Sequence, residues 1–174
     1  MERGNPARVC IHALGCKLNH AELEEYARRF EGHGLMLVGP GKPADAYVLN
    51  TCTVTAEADR KVRQWLRGAR KRNPDALVVA AGCSAARDRE TLSQLADLVF
   101  DNDDKDGLPD AVAARLAGDP SGQNPCNTGS WTPRNRATVK VQEGCSMPCA
   151  YCVIPLVRGP ERSRPLQHVV DQVE

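Results

Sequence analysis

Three times before residue 84 the chain runs out of a β-forming stretch and straight into a cysteine. Residues 8–14 lead to Gly15-Cys16, residues 46–49 to Asn50-Thr51-Cys52, and residues 76–81 to Gly82-Cys83. Helical patterns follow. Asn19 reads as a helix cap, with Glu22 three residues on to complete a capping box. Leu23, Tyr26, Ala27 and Phe30 then recur at helical spacing on one apolar face, and Gly32 and Gly34 end the helix. Thr55 reads as the cap of a helix to about Arg72, with Val62, Trp65, Leu66 and Ala69 inward. A third, polar helix is predicted at 89–96. Short strands are predicted at 35–38 and 98–100, and a last helix at 108–116 with Gly118 as its C-cap. Strands alternating with helices predict an α/β fold: a mostly parallel sheet with helices on both faces.

In such a sheet the carboxyl ends of the strands share one edge, where ligands bind. Cys16, Cys52 and Cys83 are thereby expected to meet there. Helix N-termini converge on the same edge and favour anionic thiolates. A single cysteine so placed would be an ordinary buried residue; three at equivalent strand ends point to a common ligand set. Cys10, in mid-strand, and Cys126 keep the structural reading.

The chain has eight cysteines, a formal net charge of +1 and 26% charged residues. The charge balance names no partner. No run of ~18 apolar residues could span a membrane. The amino-terminal Met-Glu-Arg-Gly-Asn-Pro lacks the apolar core of a signal peptide, so a cytoplasmic location is expected. In a reducing compartment, grouped cysteines more often bind metal than form disulfides.

Residues 119–136 are rich in Gly, Pro, Ser and Asn and read as a linker. A new strand is predicted at 139–143, followed at once by Cys145, Cys149 and Cys152 in the spacing C-x3-C-x2-C. Three thiolates in one loop suit three irons of a four-iron cluster and leave the fourth iron open. An open iron suits the amino and carboxylate groups of S-adenosylmethionine. The alternative is a zinc site, which usually has four ligands in two pairs. Only His168 follows as a candidate fourth. The expected organisation is a domain at 1–118, the linker at 119–136, and the start of a second domain at 137–174. Because that second domain opens but is not completed, the chain is expected to be inactive by itself.

The spacing, with Tyr151 immediately before Cys152, resembles the radical S-adenosylmethionine superfamily. The resemblance implies that Tyr151 packs beside the adenine and that 139–143 is the first strand of a (β/α) barrel. Together with Gly15-Cys16-Lys17-Leu18-Asn19, Asn50-Thr51-Cys52-Thr53-Val54 and Gly82-Cys83, it resembles the methylthiotransferase family over essentially the whole chain. That family implies two [4Fe-4S] clusters, an auxiliary one on Cys16, Cys52 and Cys83 and a radical-generating one on Cys145, Cys149 and Cys152. It implies two uses of S-adenosylmethionine, one for methyl transfer to sulfur and one cleaved reductively, with an electron donor such as flavodoxin or ferredoxin. Catalytic residues beyond the ligands are not assigned. Ala58-Asp59-Arg60-Lys61, Val141-Gln142-Glu143-Gly144-Cys145 and Val157-Arg158-Gly159 place it nearest the MtaB-type branch. That branch modifies N6-threonylcarbamoyladenosine at position 37 of tRNA. Branches acting on isopentenyladenosine or on a ribosomal protein share the cysteines. Where family members often have Gly-Cys-x-Ala-Gln, this chain has Ser84-Ala85-Ala86. From a different class, a non-catalytic iron–sulfur or zinc-binding module also accounts for the cysteines.

The remaining charged groups read more blandly. Residues 60–72 carry seven Lys or Arg and no acid. They could neutralise phosphate, but a solvated helix face is the default. Arg158, Arg162 and Arg164 follow the cluster loop and could face cofactor or substrate. Asp101, Asp103, Asp104 and Asp106 lack the Gly and terminal Glu of a calcium loop and read as solvated. Aromatic residues, at 4%, are too few to build a base-stacking platform.

Overall fold

The computed structural model describes residues 6–116 and 138–173. The predicted linker at 119–136, Cys126 and the predicted cap Gly118 lie outside the described residues. Strands β1 (Arg8–Ala13), β2 (Met36–Val38), β3 (Ala46–Thr51), β4 (Leu77–Gly82) and β5 (Leu98–Phe100) form one sheet, in the order β2-β1-β3-β4-β5. Every pairing is parallel. Helix α1 (Lys17–Gly32) joins β1 to β2, and α2 (Ala56–Arg72) joins β3 to β4. Two short helices, α3 (Cys83–Arg87) and α4 (Arg89–Ser93), join β4 to β5, and α5 (Leu108–Leu116) follows a 3-10 turn at Lys105–Gly107. The predicted parallel α/β sheet is therefore the one observed.

Alternation along each strand builds two cores. Val9 and Ile11 of β1, Val48 of β3 and Val79 of β4 face α1 and α5, against Leu23, Tyr26, Phe30 and Leu108. Cys10, Tyr47, Leu49, Val78 and Ala80 point the other way, onto Val62, Leu66 and Ala69 of α2 and Leu92 of α4. Phe30, Tyr47, Leu66 and Leu108 are wholly buried, and each such side chain contributes roughly 1.5–3 kcal/mol by leaving water. Cys10 lies in the second core with its Sγ 3.9 Å from the Gly39 carbonyl. It keeps its structural role.

Three local expectations need correction. Helix α1 begins two residues before Asn19, with Cys16 as its N-cap and no side-chain capping bond. Asn19 and Glu22 are instead buried on the inner side of α1, so they form no capping box. The helix expected at 89–96 is present but shorter, and an additional short helix precedes it. Chain turns helical already at Cys83, breaks at Asp88, and restarts as α4, where the Asp88 carboxylate accepts the Thr91 N–H at 3.1 Å. The strand expected at 139–143 is reduced to β6 (Gln142–Glu143), paired antiparallel with β7 (Arg162–Ser163). Lys140 turns inward and Val141 outward, the reverse of an apolar strand face. Between β6 and β7 lie the Cys145–Cys152 loop and α6 (Ile154–Arg158); α7 (Leu166–Val170) follows β7. By contrast Thr55 caps α2 as expected, its hydroxyl accepting the Ala58 N–H at 3.1 Å.

No helix among the described residues is long and apolar enough to cross a membrane.

Candidate functional site

Strand order reverses between β1 and β3, because β2 lies on one side of β1 and β3 on the other. The crevice outside the carboxyl ends at such a reversal is where open α/β sheets bind ligands. Cys16 follows β1, Cys52 follows β3 and Cys83 follows β4. Two of them flank the switch point and the third stands one strand away.

The loops that carry them are closely fitted. Gly15 has φ +101°, and a Cβ built on it would stand 2.6 Å from the Cys52 Sγ and 2.5 Å from its Cβ. Gly82 has φ +97°, and a Cβ there would stand 2.5 Å from Asn50 Oδ1. Only glycine combines that φ with such close approach. Polar ties fix the three loops to one another. Asn19 Nδ2 donates to the Leu14 carbonyl at 2.7 Å and to the Thr51 carbonyl at 2.9 Å, joining the ends of β1 and β3. The Thr51 hydroxyl donates to Ala81 O at 2.6 Å and accepts from Ser84 N at 3.1 Å. Ser84 Oγ donates to Cys52 O at 2.8 Å. Thus Cys52 and Cys83 share one braced corner.

Cys16 is exposed, while Cys52 and Cys83 are buried, and all three are free thiols. Burial pushes the Cys52 thiol up, and the neighbouring Cys83 and Cys16 push it further, against a lowering hydrogen bond from the Val54 backbone. Cys16 also caps the N-terminus of the 16-residue α1, whose first turn holds no acid; the helix dipole there favours negative charge.

Cys145, Cys149 and Cys152 lie half-buried in the loop between β6 and α6. Cys145 N donates to Gly159 O at 3.1 Å and Cys152 N to Cys149 O at 3.1 Å, which closes the loop. Gly144, at φ +78°, lies so close to the Pro160 carbonyl that any Cβ would collide with it. A glycine with positive φ thus precedes Cys16, Cys83 and Cys145 alike. Tyr151 is 91% exposed and packs on nothing described. Among the described residues no three His, Cys, Asp or Glu side chains close on a point as the ligands of a single metal ion do.

What the sequence reading missed is a buried charge network beside these loops. Glu22, Lys105, Lys140 and Arg158 are each at most 4% exposed. Glu22 Oε1 accepts from Lys105 Nζ at 2.7 Å, Lys140 Nζ at 2.8 Å and an Arg158 Nη at 3.4 Å; Oε2 accepts from Asn50 Nδ2 at 2.9 Å. Glu143 completes the set, accepting from Lys105 at 2.5 Å, from Arg158 at 3.1 Å and from Lys140. Two carboxylates thus meet three cations. Arg158, expected to face cofactor or substrate, instead points inward and is buried. Arg162 pairs with Asp103 at 2.9 Å and Arg164 with Glu25 at 2.9 Å. The basic run on α2 is largely a solvated face: Arg60 pairs with Glu57, Arg70 with Asp97, and Arg72 lies over the Tyr47 ring. Asp101 Oδ1 accepts the N–H groups of Asp103 and Asp104, so the acidic loop is an ordinary turn.

Acid should loosen the network. Burial raises the Glu22 carboxyl pKa, but Lys105, Lys140 and Arg158 outweigh it and hold the group at about 2. Asn50 is its neutral hydrogen-bond partner, and Tyr26 lies near it on the same helix. An unfolded Glu titrates near ~4.3. A depressed folded pKa gives stability that is full above the unfolded value and is lost as pH falls to the folded one. The stability advantage of the native chain over Glu22→Gln is expected to be constant above about pH 5 and to close between pH 4.5 and 2. Urea melts at a series of pH values measure it; a gap that does not narrow would mean that Glu22 is not ion-paired.

A family model described as "Uncharacterized protein family UPF0004" matches residues 8–101, which span β1 to β5 and all three strand-end cysteines. The chain belongs to this family. It is homologous to MtaB-type tRNA methylthiotransferases. The threonylcarbamoyladenosine tRNA methylthiotransferase MtaB of Bacillus subtilis (strain 168) is 33% identical over 187 residues, covering 97% of this chain and 40% of the relative. That of Aquifex aeolicus (strain VF5) is 35% identical over 181 residues, covering 96% of this chain and 44% of the relative. The tRNA-2-methylthio-N(6)-dimethylallyladenosine synthase of Chloroherpeton thalassium (strain ATCC 35110 / GB-78) is 30% identical over 186 residues, covering 97% and 40%. The chain therefore spans less than half the length of these curated relatives.

Proposed function

We propose that the chain supplies both cysteine sites of a radical S-adenosylmethionine tRNA methylthiotransferase acting on N6-threonylcarbamoyladenosine at position 37. The observation that carries this reading is the position of Cys16, Cys52 and Cys83 just after the carboxyl ends of β1, β3 and β4, beside the switch point of the sheet. The donor sets fit iron–sulfur groups. Each site offers three thiols, the ligand type such clusters take, and each cysteine would bind its own iron. Side chains that ligate separate irons need not converge on a point, which accords with their spread. Cys16, Cys52 and Cys83 would hold the auxiliary [4Fe-4S] cluster; Cys145, Cys149 and Cys152 would hold the other, with S-adenosylmethionine. When bound, these groups supply the electron for reductive cleavage and the sulfur for transfer.

The chain's own residues prepare the sites. Gly15, Gly82 and Gly144 give the backbone the turn that aims each following cysteine. The helix α1 N-terminus and Arg158 place positive potential by Cys16 and Cys83. Asn19, Thr51 and Ser84 keep the strand-end loops in register. Tyr151, exposed beside Cys152, is free to cover a bound nucleoside. The cytoplasm, where thiols stay reduced, is the compartment this chemistry needs.

Anaerobic reconstitution with iron and sulfide analysis tests the reading. Two four-iron clusters per chain are expected, and Cys145, Cys149 and Cys152 replaced together by Ala should leave about half the iron. Zinc, or a single cluster lost in that variant, would favour a non-catalytic metal-binding module. The substrate is tested by tRNA digestion and mass spectrometry after incubation of the complete protein with reductant and S-adenosylmethionine. A methylthiolated isopentenyladenosine or protein product would reassign the branch.

A further inference from the structure

The two cysteine trios are far apart in sequence, yet a continuous chain of polar contacts joins them. From the Cys145 loop the contacts pass through Gly159, which accepts the Cys145 N–H. The neighbouring Arg158 donates through one Nη to Asn19 Oδ1 and through the other to Glu22 and Glu143. Asn19 Oδ1 in turn lies 3.7 Å from Cys16 Sγ, and its Nδ2 holds the ends of β1 and β3. A second path starts one residue earlier. Asn102, after β5, is 7% exposed; its Nδ2 donates to Val157 O at 2.5 Å and lies 3.8 Å from Cys83 Sγ. Its Oδ1 accepts from Lys105 at 2.7 Å. Helix α6 packs against α3, the helix that starts at Cys83. Two adjacent residues of α6 thus reach the Cys16 and the Cys83 loops separately.

We propose that Asn102 and Arg158 are positioning residues that lock the Cys145–Cys152 loop to the strand-end loops, so that the two cysteine trios are held at one fixed separation. Two attachments made from adjacent residues to different strand ends prevent rotation as well as translation of the loop. Neither contact tolerates a near-isostere. An Asp at 102 would still accept from Lys105 but could no longer donate to Val157 O. A Lys at 158 would keep the charge but has no planar fork to span Asn19 and the two glutamates. The proposal rests on the reading that both trios serve one reaction, in which a fixed separation matters for rate.

The test uses Asn102→Asp and Arg158→Lys, each read in two ways. In the metal-free, reduced chain, hydrogen–deuterium exchange followed by mass spectrometry reports the joint itself. Amides at 144–158 are expected to exchange about tenfold faster in each variant, the effect of losing one internal hydrogen bond. Amides of β1, β3 and β4 should stay within about twofold, since their own ladders are untouched. In the reconstituted chain, electron paramagnetic resonance of the two reduced clusters reports their separation. One well-defined magnetic coupling is expected for the native chain, and a broadened or weakened one for both variants. Unchanged exchange at 144–158 overturns the lock. Faster exchange with an unchanged coupling overturns the positioning role, because the separation is then set elsewhere. If the cluster assignment itself were wrong, iron analysis would report it while the exchange result still decided the lock.

Discussion

Glu22→Ala is expected to lower the thermal midpoint by roughly 10 °C. Its carboxylate is 1% exposed and holds three cations and one amide. Removing it leaves Lys105, Lys140 and Arg158 with Glu143 as their one shared carboxylate, and all three are nearly wholly buried. Breaking a buried ion pair from one side costs about 3–5 kcal/mol, since the uncompensated charge stays buried. In a chain of this size each kcal/mol moves the midpoint by roughly 2–4 °C. Circular dichroism melts measure it. Glu22→Gln, which keeps an acceptor for Asn50, should fall less. A midpoint within about 2 °C of the native one in Glu22→Ala would mean that the network contributes little to the fold.

Gly15→Val should remove the iron of the amino-terminal site. At φ +101° a β-branched residue is strained, and its Cβ would meet Cys52 at 2.5 Å. Relief requires the Cys52 side chain or the β1–α1 turn to move, and either takes a thiol out of the shared corner. Gly41→Ala separates strain from collision: its φ is +89°, and nothing lies within 4 Å of the added Cβ. That variant should lose about 1 kcal/mol of stability and no iron. The measurement is iron per chain in a background lacking Cys145, Cys149 and Cys152. Full retention of iron in Gly15→Val would show that the Gly15 approach to Cys52 has no part in shaping the site.

The sheet was legible because its signals are local. The alternation in β1, the continuous apolar runs of β3 and β4, and the Thr55 cap of α2 are each written within a few neighbouring positions. The cysteines were legible for a related reason: each marks a strand end, and parallel strands put their ends on one edge. Asn19 and Glu22 misled because a capping pair and a buried polar pair have the same spacing. Their place on the stripe of Leu23, Tyr26 and Phe30 was the available clue, since a polar group on an apolar stripe must find partners inside. Nothing local distinguishes Lys140, between two valines, from a solvated lysine on a strand. Its burial depends on Glu22, 118 positions away, and composition carries no record of such pairings.

That distance has a consequence for the order of folding. A chain made from its amino end can complete β1 through α5 before residues 138–173 are made, since domains made first fold first. Of the cations that surround Glu22, only Lys105 belongs to that stretch. The bonds to Lys140, Arg158 and from Arg158 to Asn19 span 118, 136 and 139 positions. During synthesis the sheet must therefore stand for a time with Glu22 paired to Lys105 alone. At about 5–20 residues per second, that interval lasts several seconds. Closure of the Cys145–Cys152 loop is then a late event, in which Lys140, Glu143 and Arg158 join an ion pair that the sheet has already set in place.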